Sequence, residues 1–288
     1  MRPATLGLAL LPLTLAAQEP ALSWSAGPPR QGSFAWVTLR PAGEPPAAVH
    51  GTLDGVPLHF EPMSDGRFVA LAGVPLDAAD SVLVTARMSY ARGRTAQLEA
   101  RLPVVRSVFP NERLSVDPAF TRRPNSALAA RIARENGLAR EVSREALRTH
   151  RLWRDGFTPP RAAPITSRYG TGRVFNRQVQ SRHLGVDFDG EIGDTVRAAN
   201  RGVVALVGDF YYAGRVIYLN HGGGLVTAYL HLSETLVTAG DTVALGQVIG
   251  KVGRSGRVTG PHLHWAAKYG VASLDGETLL ALPPPPRD

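Results

Sequence analysis

The chain has 288 residues, enough for two modest domains and the segments that connect them. It contains no cysteine, which excludes disulfide bonds and thiolate chemistry, so any bound metal must be held by histidine and carboxylate side chains. The formal net charge of +8 comes almost wholly from arginine. Because these arginines are scattered and do not alternate with aromatic residues, they predict a solvated basic surface and no nucleic-acid partner.

The first 17 residues have the pattern of an export signal. Arg2 supplies a positive charge, residues 6–15 form a short apolar core, and Ala16 and Ala17 offer a small-residue cleavage site. The apolar core is too short to span a bilayer, and no later stretch reaches 18 uninterrupted apolar residues. The sequence therefore predicts a signal peptide over residues 1–17, no transmembrane span, and an exported protein that is periplasmic or extracellular.

Residues 21–105 are predicted to form a small all-β domain. Runs of β-prone residues occupy positions 33–39, 67–71 and 81–89, and turn-forming pairs such as Asp54-Gly55 separate them. Short strands at this spacing favour a sandwich of immunoglobulin-like type. No motif in this region carries recognisable chemistry.

Residues 106–160 are predicted to be a connector that contains one or two helices. Residues 108–120 look irregular and are marked by proline, whereas apolar residues recur at helical spacing from Asn125 onward, where Asn125 or Ser126 can cap a helix. Gly137 interrupts this pattern. We expect the helical part to pack beside the second domain.

Residues 161–272 are rich in glycine and β-branched residues, which predicts a second all-β domain with tight turns. The tetrapeptide GDTV occurs twice, at residues 193–196 and 240–243, which suggests a sheet built from related halves. Residues 273–288 are predicted to be a Pro-rich tail. The predicted fold class of the whole chain is thus mainly β.

Five of the eight histidines lie between residues 183 and 264. His183 and Asp187 are four residues apart, a spacing that places both side chains on one face of a strand or of a helix. His262 and His264 are two apart and share a face only on a strand, while His231 lies in another β-prone segment. A catalytic zinc ion takes three protein ligands and keeps one position open. One carboxylate and four imidazoles therefore suffice for a zinc site and for two proton-transferring groups.

At these residues the sequence resembles the lysostaphin-type zinc metallopeptidases, which include the glycyl-glycine and β-lytic endopeptidases. The resemblance covers residues 165–265 and is carried in order by ITSRYGTGR, HLGVDF, GDTVRAANRGVV, HGGGLVTAYLHLS and GQVIGKVGRSGRVTGPHLHW. It implies a two-sheet β domain with an internal duplication. It also implies one zinc ion held by His183, Asp187 and His264, with His231 and His262 as a catalytic pair that does not bind the metal.

The resemblance implies an endopeptidase that hydrolyses peptide bonds in the stems or cross-bridges of bacterial peptidoglycan. Zinc would activate the attacking water, and the histidine pair would move protons, in roles that the sequence does not divide between His231 and His262. Two alternatives are a non-catalytic wall-binding or hydrolase-activating module and a histidine phosphocarrier domain. The complete set of ligand positions disfavours the first, and the export signal together with Asp187 disfavours the second.

Overall fold

A computed structural model describes residues 19–177 and 179–284 of the chain, so the predicted signal peptide lies outside the described residues. Most regular structure in the described residues is β-strand, which confirms the predicted mainly β fold. No helix within the described ranges is both long and apolar enough to cross a membrane.

The first region is a sandwich of two four-stranded antiparallel sheets, with strand orders β1-β2-β6-β5 and β4-β3-β7-β8. Buried side chains from both sheets, such as Val37 and Val84, belong to one hydrophobic core. The alternating burial along β7 is the pattern expected of a strand with one face in a core. The strands are β1 (Ala21–Trp24), β2 (Phe34–Arg40), β3 (Ala48–Leu53), β4 (Val56–Leu58), β5 (Glu61–Pro62), β6 (Phe68–Gly73), β7 (Ser81–Ser89) and β8 (Thr95–Pro103).

The connector contains one strand, β9 (Asn111–Leu114), and one long helix, α1 (Ser126–Ala146). The Asn125 side chain accepts a hydrogen bond from the Leu128 amide, as predicted for a cap. Gly137 does not interrupt the helix, since a glycine in a helix interior costs only about 1 kcal/mol relative to alanine. The last turns of α1 pack on apolar residues of the second β region, so a single helix spans the interval for which we predicted one or two.

The second β region contains thirteen described strands and one short helix. Its main sheet has the order β10-β13-β21-β17-β16-β15-β19, with β22 paired to β21, and two three-stranded sheets flank it. The elements are β10 (Ile165–Ser167), β11 (Gly172–Phe175), β12 (Val179–Arg182), β13 (Val186–Asp189), β14 (Thr195–Arg197), β15 (Gly202–Phe210), β16 (Gly214–Gly222), β17 (Leu225–Leu232), β18 (Glu234–Thr235), β19 (Thr242–Val243), β20 (Val248–Lys251), β21 (His262–Tyr269), β22 (Ala272–Leu274) and α2 (Gly276–Ala281).

The two GDTV segments fold alike. Gly193 and Gly240 both have φ near +96°, a left-handed conformation that glycine adopts readily, and the following aspartate accepts a hydrogen bond from a backbone amide three residues before it. Each segment runs into a short strand that pairs with a strand following the other segment, since β14 pairs with β20 and β19 pairs with β15. The repeated tetrapeptide therefore forms the same turn twice, and strand pairing links each copy to the part of the chain that follows the other copy.

The end of the described chain differs from the predicted tail. Strand β22 and helix α2 occupy most of residues 272–281, where a Pro-rich tail was predicted from residue 273. Asp275 caps α2, and the side chains of Leu274 and Leu279 are almost completely buried. This segment also contacts the sandwich, because the Asp275 amide donates to the Gly32 carbonyl at 2.7 Å. The proline run beyond the helix dominated the prediction for this short segment.

Candidate metal and catalytic site

Three neighbouring strands of the main sheet bring the predicted site residues together. Strand β13 pairs with β21 so that Asp187 lies opposite His264, and β17 pairs with the other edge of β21. His183 lies in the turn between β12 and β13, and His231 lies near the end of β17. His262 is the first residue of β21, two positions before His264, so both imidazoles project from one face.

His183, Asp187 and His264 form a group whose ligand atoms all lie within 4.8 Å of one another. The Asp187 Oδ1 atom is 2.9 Å from His183 Nε2 and 2.8 Å from His264 Nδ1, and the two nitrogens are 3.0 Å apart. His262 Nε2 is more distant, at 3.7 Å from the same oxygen. Two imidazole nitrogens and one carboxylate oxygen converging on one point are a donor set that suits zinc.

Backbone carbonyls fix the orientation of three of the imidazoles. The Nδ1 atoms of His183, His231 and His262 lie 2.8–2.9 Å from the carbonyl oxygens of Arg168, Ser255 and Gly260. A carbonyl oxygen only accepts hydrogen bonds, so each of these Nδ1 atoms carries the proton. The corresponding Nε2 atoms therefore present lone pairs, which can bind a metal or accept a proton.

A β-bulge places the His231 ring. The residues Arg215 and Ile217 of β16 pair with Leu232 and Tyr229 of β17, so β17 contains one extra residue in this interval. His231 has φ +63°, a left-handed conformation that is uncommon for a residue with a side chain. Bulges change the direction of a side chain relative to simple alternation. The ring centroid of His231 consequently lies 5.0 Å from that of His262.

Burial lowers the pKa of two of the site imidazoles. It lowers the pKa of His264 to about 4, and it lowers the pKa of His231 well below its usual value with a further contribution from the neighbouring imidazoles of His262 and His264. Burial alone would raise the pKa of the Asp187 carboxyl, but the close contacts of this group with the His183 and His264 imidazoles outweigh burial and hold the pKa well below the usual range. At neutral pH the site thus combines the Asp187 carboxylate with the neutral imidazoles of His231 and His264, and metal binding requires ligands in these protonation states.

A second layer of contacts, which the sequence did not reveal, surrounds Asp187. The Arg173 guanidinium donates to Asp187 Oδ2 at 2.6 Å, to Glu112 Oε1 at 2.5 Å and to the Ser167 hydroxyl at 2.9 Å. Glu112 belongs to connector strand β9, which pairs in parallel with β11 and so lies beside Arg173. The segment SRYGTGR contains Ser167 and Arg173, but only long-range pairing with β9 shows what Arg173 contacts.

The site lies in a cleft of about 480 Å³, lined by residues of the connector and of the second β region. Leu114 and Val116 of the connector form part of one wall, and the loop before β21 forms another. Gly185 leaves room for the His264 ring, because a Cβ atom at residue 185 would lie 2.4 Å from His264 Nε2. The cleft is large enough for an extended peptide segment to approach the five clustered side chains.

Residues 181–275 match the sequence model of Peptidase family M23. Over 115 residues the chain is 41% identical to the peptidoglycan DD-endopeptidase ShyA of Vibrio cholerae, an alignment that covers 39% of this chain and 24% of that protein. Over 103 residues it is 38% identical to the DD-carboxypeptidase/endopeptidase Mpg of Neisseria meningitidis, covering 36% of this chain and 24% of the relative. The chain thus spans about a quarter of the length of these curated relatives.

A solved structure of a candidate M23 peptidase from Pseudomonas aeruginosa is similar over a longer stretch. The likeness covers 88% of this chain and 95% of that chain, with 26% sequence identity and a TM-score of 0.66. It therefore includes the sandwich and the connector as well as the region that holds the cleft. The match over residues 181–275 shows that this part of the chain is a Peptidase family M23 domain.

Proposed function

We propose that this protein is an exported zinc-dependent endopeptidase that hydrolyses peptide bonds in peptidoglycan. The observation that carries the proposal is the pairing of two sets of groups in one cleft. Three ligand atoms converge, from His183, Asp187 and His264, and the cleft-facing Nε2 atoms of His231 and His262 lie beside them. A catalytic zinc site needs both sets, since three ligands leave one position open for the reaction.

The donor set fits zinc. The His264 imidazole is neutral, and the His183 imidazole is oriented by a backbone carbonyl. Asp187 is ionised, and its second carboxylate oxygen accepts a hydrogen bond from Arg173. Hydrogen bonds of this kind orient ligands and raise metal affinity in many zinc proteins. When bound, zinc supplies Lewis-acid polarisation of the scissile carbonyl and of the attacking water.

The remaining steps belong to the chain's own side chains. His231 and His262 each hold a proton on Nδ1 through a carbonyl and present a basic Nε2 to the cleft. One of them accepts the proton of the attacking water, and the pair then delivers a proton to the departing amine. The lowered pKa of His231 favours its neutral form before the reaction, as a general base requires.

The choice of substrate rests on the relatives. ShyA is named as a peptidoglycan DD-endopeptidase and Mpg as a DD-carboxypeptidase/endopeptidase. We therefore propose D,D cross-links between peptidoglycan stems as the first bonds to test, with the protein acting in the periplasm or outside the cell. Export agrees with the signal-like pattern of residues 1–17 and with a wall substrate.

The test is digestion of purified peptidoglycan by the zinc-loaded protein, followed by mass analysis of the released muropeptides. We expect cross-linked dimers to decrease and monomers to increase, with the gain of one water for each bond cut. His264→Ala is the matched control and should leave the dimers intact. A wild-type protein that binds zinc but leaves the dimers unchanged would contradict the proposal and would favour a binding or activating module.

A further inference from the structure

Arg257 lies in the cleft, and none of the described residues gives its guanidinium an acidic partner. Within the described part of the chain, no carboxylate lies within ion-pair distance of its guanidinium, although three carboxylates line the same cleft. Two of these, Glu112 and Asp187, are already paired with Arg173. The third, Asp189, makes no ion pair with Arg257. Burying part of a cation without a counter-charge is unfavourable in free energy unless a ligand supplies the anion.

Aromatic rings hold the Arg257 guanidinium in place. Its central carbon lies 4.4 Å from the ring centroid of Phe175 and 4.7 Å from that of Tyr212. These are cation–π distances, in which a guanidinium uses its flat face and keeps its edge for hydrogen bonds. No described residue accepts a hydrogen bond from this side chain, so its edge donors are available to a ligand.

The loop that carries Arg257 is held by a backbone hydrogen bond and close packing, and it also contacts His231. The Arg257 amide donates to the Tyr212 carbonyl at 2.9 Å, and Ser255, two residues earlier, supplies the carbonyl that orients His231. Gly256 has φ +74°, and a Cβ atom there would lie 2.4 Å from the Gly214 nitrogen, so the loop packs closely against strand β16. Arg257 is thus preorganised beside the site and needs no large movement to bind a substrate.

We propose that Arg257 binds a free carboxylate of the peptide substrate and so selects peptides that carry an acid group near the scissile bond. This inference rests on the proposed peptidase function and names a feature of its substrate. Three arginines and three carboxylates line the cleft, so a bound divalent metal leaves it positively charged. The planar fork of a guanidinium matches a carboxylate through two parallel hydrogen bonds, which a lysine cannot reproduce.

The test compares two synthetic cross-linked stem peptides, one with free carboxylates and one with the same carboxylates amidated. Binding is measured calorimetrically with the full-length, zinc-loaded His231→Ala/His262→Ala variant, so that the result does not depend on turnover. We expect this protein to bind the free-acid peptide about tenfold more tightly than the amide, the scale of a hydrogen bond to a charged group. Adding Arg257→Gln should remove that preference, and Arg257→Lys should restore only part of it.

Arg254→Gln, added to the same background, is the matched control. It removes the same charge from the same loop, but Arg254 is exposed and does not line the cleft, so the preference should remain. Equal affinity for both peptides before Arg257 is changed would overturn the inference, and so would an equal loss for both peptides in Arg257→Gln. A free-acid preference without any cleavage by the wild-type enzyme would support the inference and contradict the proposed peptidase function instead.

Discussion

The two β regions differ sharply in the polar groups that they bury. In residues 21–105 the described buried polar side chains are the hydroxyls of Ser33 and Thr38. Burying a polar side chain is unfavourable unless its hydrogen bonds are replaced, so a sequence that retains many such groups indicates a role beyond packing. Among its described residues, the second β region buries eight polar side chains, which are Thr171, His183, Asp187, Asn200, Asn220, His221, Thr227 and His231.

The second region also contains two kinds of buried imidazole. Both nitrogens of His221 have partners inside the protein, the Arg201 carbonyl at 2.7 Å and the Thr227 hydroxyl at 2.8 Å. His183 and His231 instead have one nitrogen on a carbonyl and the other toward the cleft. A structural imidazole therefore has both ring nitrogens bonded inside the protein, whereas an imidazole that can take part in chemistry keeps one ring nitrogen facing the cleft.

The largest expected effect comes from removing a candidate ligand. His183→Ala, Asp187→Ala and His264→Ala should each lose zinc, because a site with two remaining protein ligands binds the ion poorly. Peptidase activity should fall by at least about 1000-fold, since several kcal/mol of Lewis-acid stabilisation would be lost. The measurements are metal content by mass spectrometry and kcat/KM on a cross-linked muropeptide.

His50→Ala is the control for these three variants, because His50 is an exposed imidazole of the sandwich. It should keep both zinc and activity. If all three ligand variants kept one zinc per chain, the ligand assignment would be wrong and the comparison of imidazole types would fail with it.

The next effect separates proton transfer from metal binding. His231→Ala and His262→Ala should keep about one zinc ion per chain and lose on the order of 100-fold in turnover, the scale for a positioned acid–base group. The double variant should lose less than the product of the two single effects, since both residues serve the same proton transfers. Loss of zinc from His262→Ala, combined with its retention by His264→Ala, would reverse the roles of these two residues.

A smaller effect is expected at Arg173, which contacts a candidate ligand without binding the metal itself. Arg173→Gln removes the charged donor from Asp187 Oδ2, and zinc affinity should fall about tenfold or more, as for other contacts behind metal ligands. Competition with a chromophoric chelator measures this change independently of activity. Arg177→Gln, an equal charge change at an exposed residue nearby, should leave zinc affinity unchanged.

The strand that carries His262 and His264 could be predicted from the sequence because polar and apolar residues alternate over a few neighbouring positions. Leu263 and Trp265 are completely buried, as expected for the opposite face of β21. The contacts of Arg173 with Glu112 had no local signature, because they depend on the parallel pairing of β9 with β11 across 61 residues. The same limit applies to β9 itself, which lies in a stretch predicted to be irregular.

Helix boundaries were harder to predict for a different reason. The local pattern predicts an interruption at Gly137, but the tertiary packing of α1 outweighs the low helix propensity of one glycine. The left-handed conformation of His231 was also hidden, since nothing in AYLHLS marks a bulge. The continuous helix depends on the strands against which α1 packs, and the bulge depends on the pairing of β17 with β16. Neither can be predicted from the local sequence alone.

His221 provides a test of acid sensitivity. Burial lowers its pKa to about 4, so between pH 6.5 and 4 the unfolded chain binds more protons than the folded one, and stability falls as the pH falls through this window. The contribution of this one group across the window is about 3 kcal/mol. We expect zinc-free His221→Asn to be less stable at pH 7 but to lose less stability on acidification than the wild type.

Urea denaturation of both zinc-free proteins at pH 7 and pH 4.5 measures the difference. Removing zinc keeps metal release from contributing to the pH dependence. Equal losses of stability in the two proteins would show that His221 is not the acid-sensitive group that its burial indicates.

The smallest effect should come from the sandwich, where Thr38→Val removes one of the two buried polar groups. The Thr38 hydroxyl lies 2.7 Å from that of Ser25, which is exposed and can bond to water instead. Valine has nearly the same shape as threonine, so the loss is one hydrogen bond with no cavity, and stability should change by about 1 kcal/mol or less. Zinc content and peptidase activity should equal those of the wild type. A loss of several kcal/mol, or any change in zinc content, would show that buried polar groups in the sandwich matter as much as those of the second region.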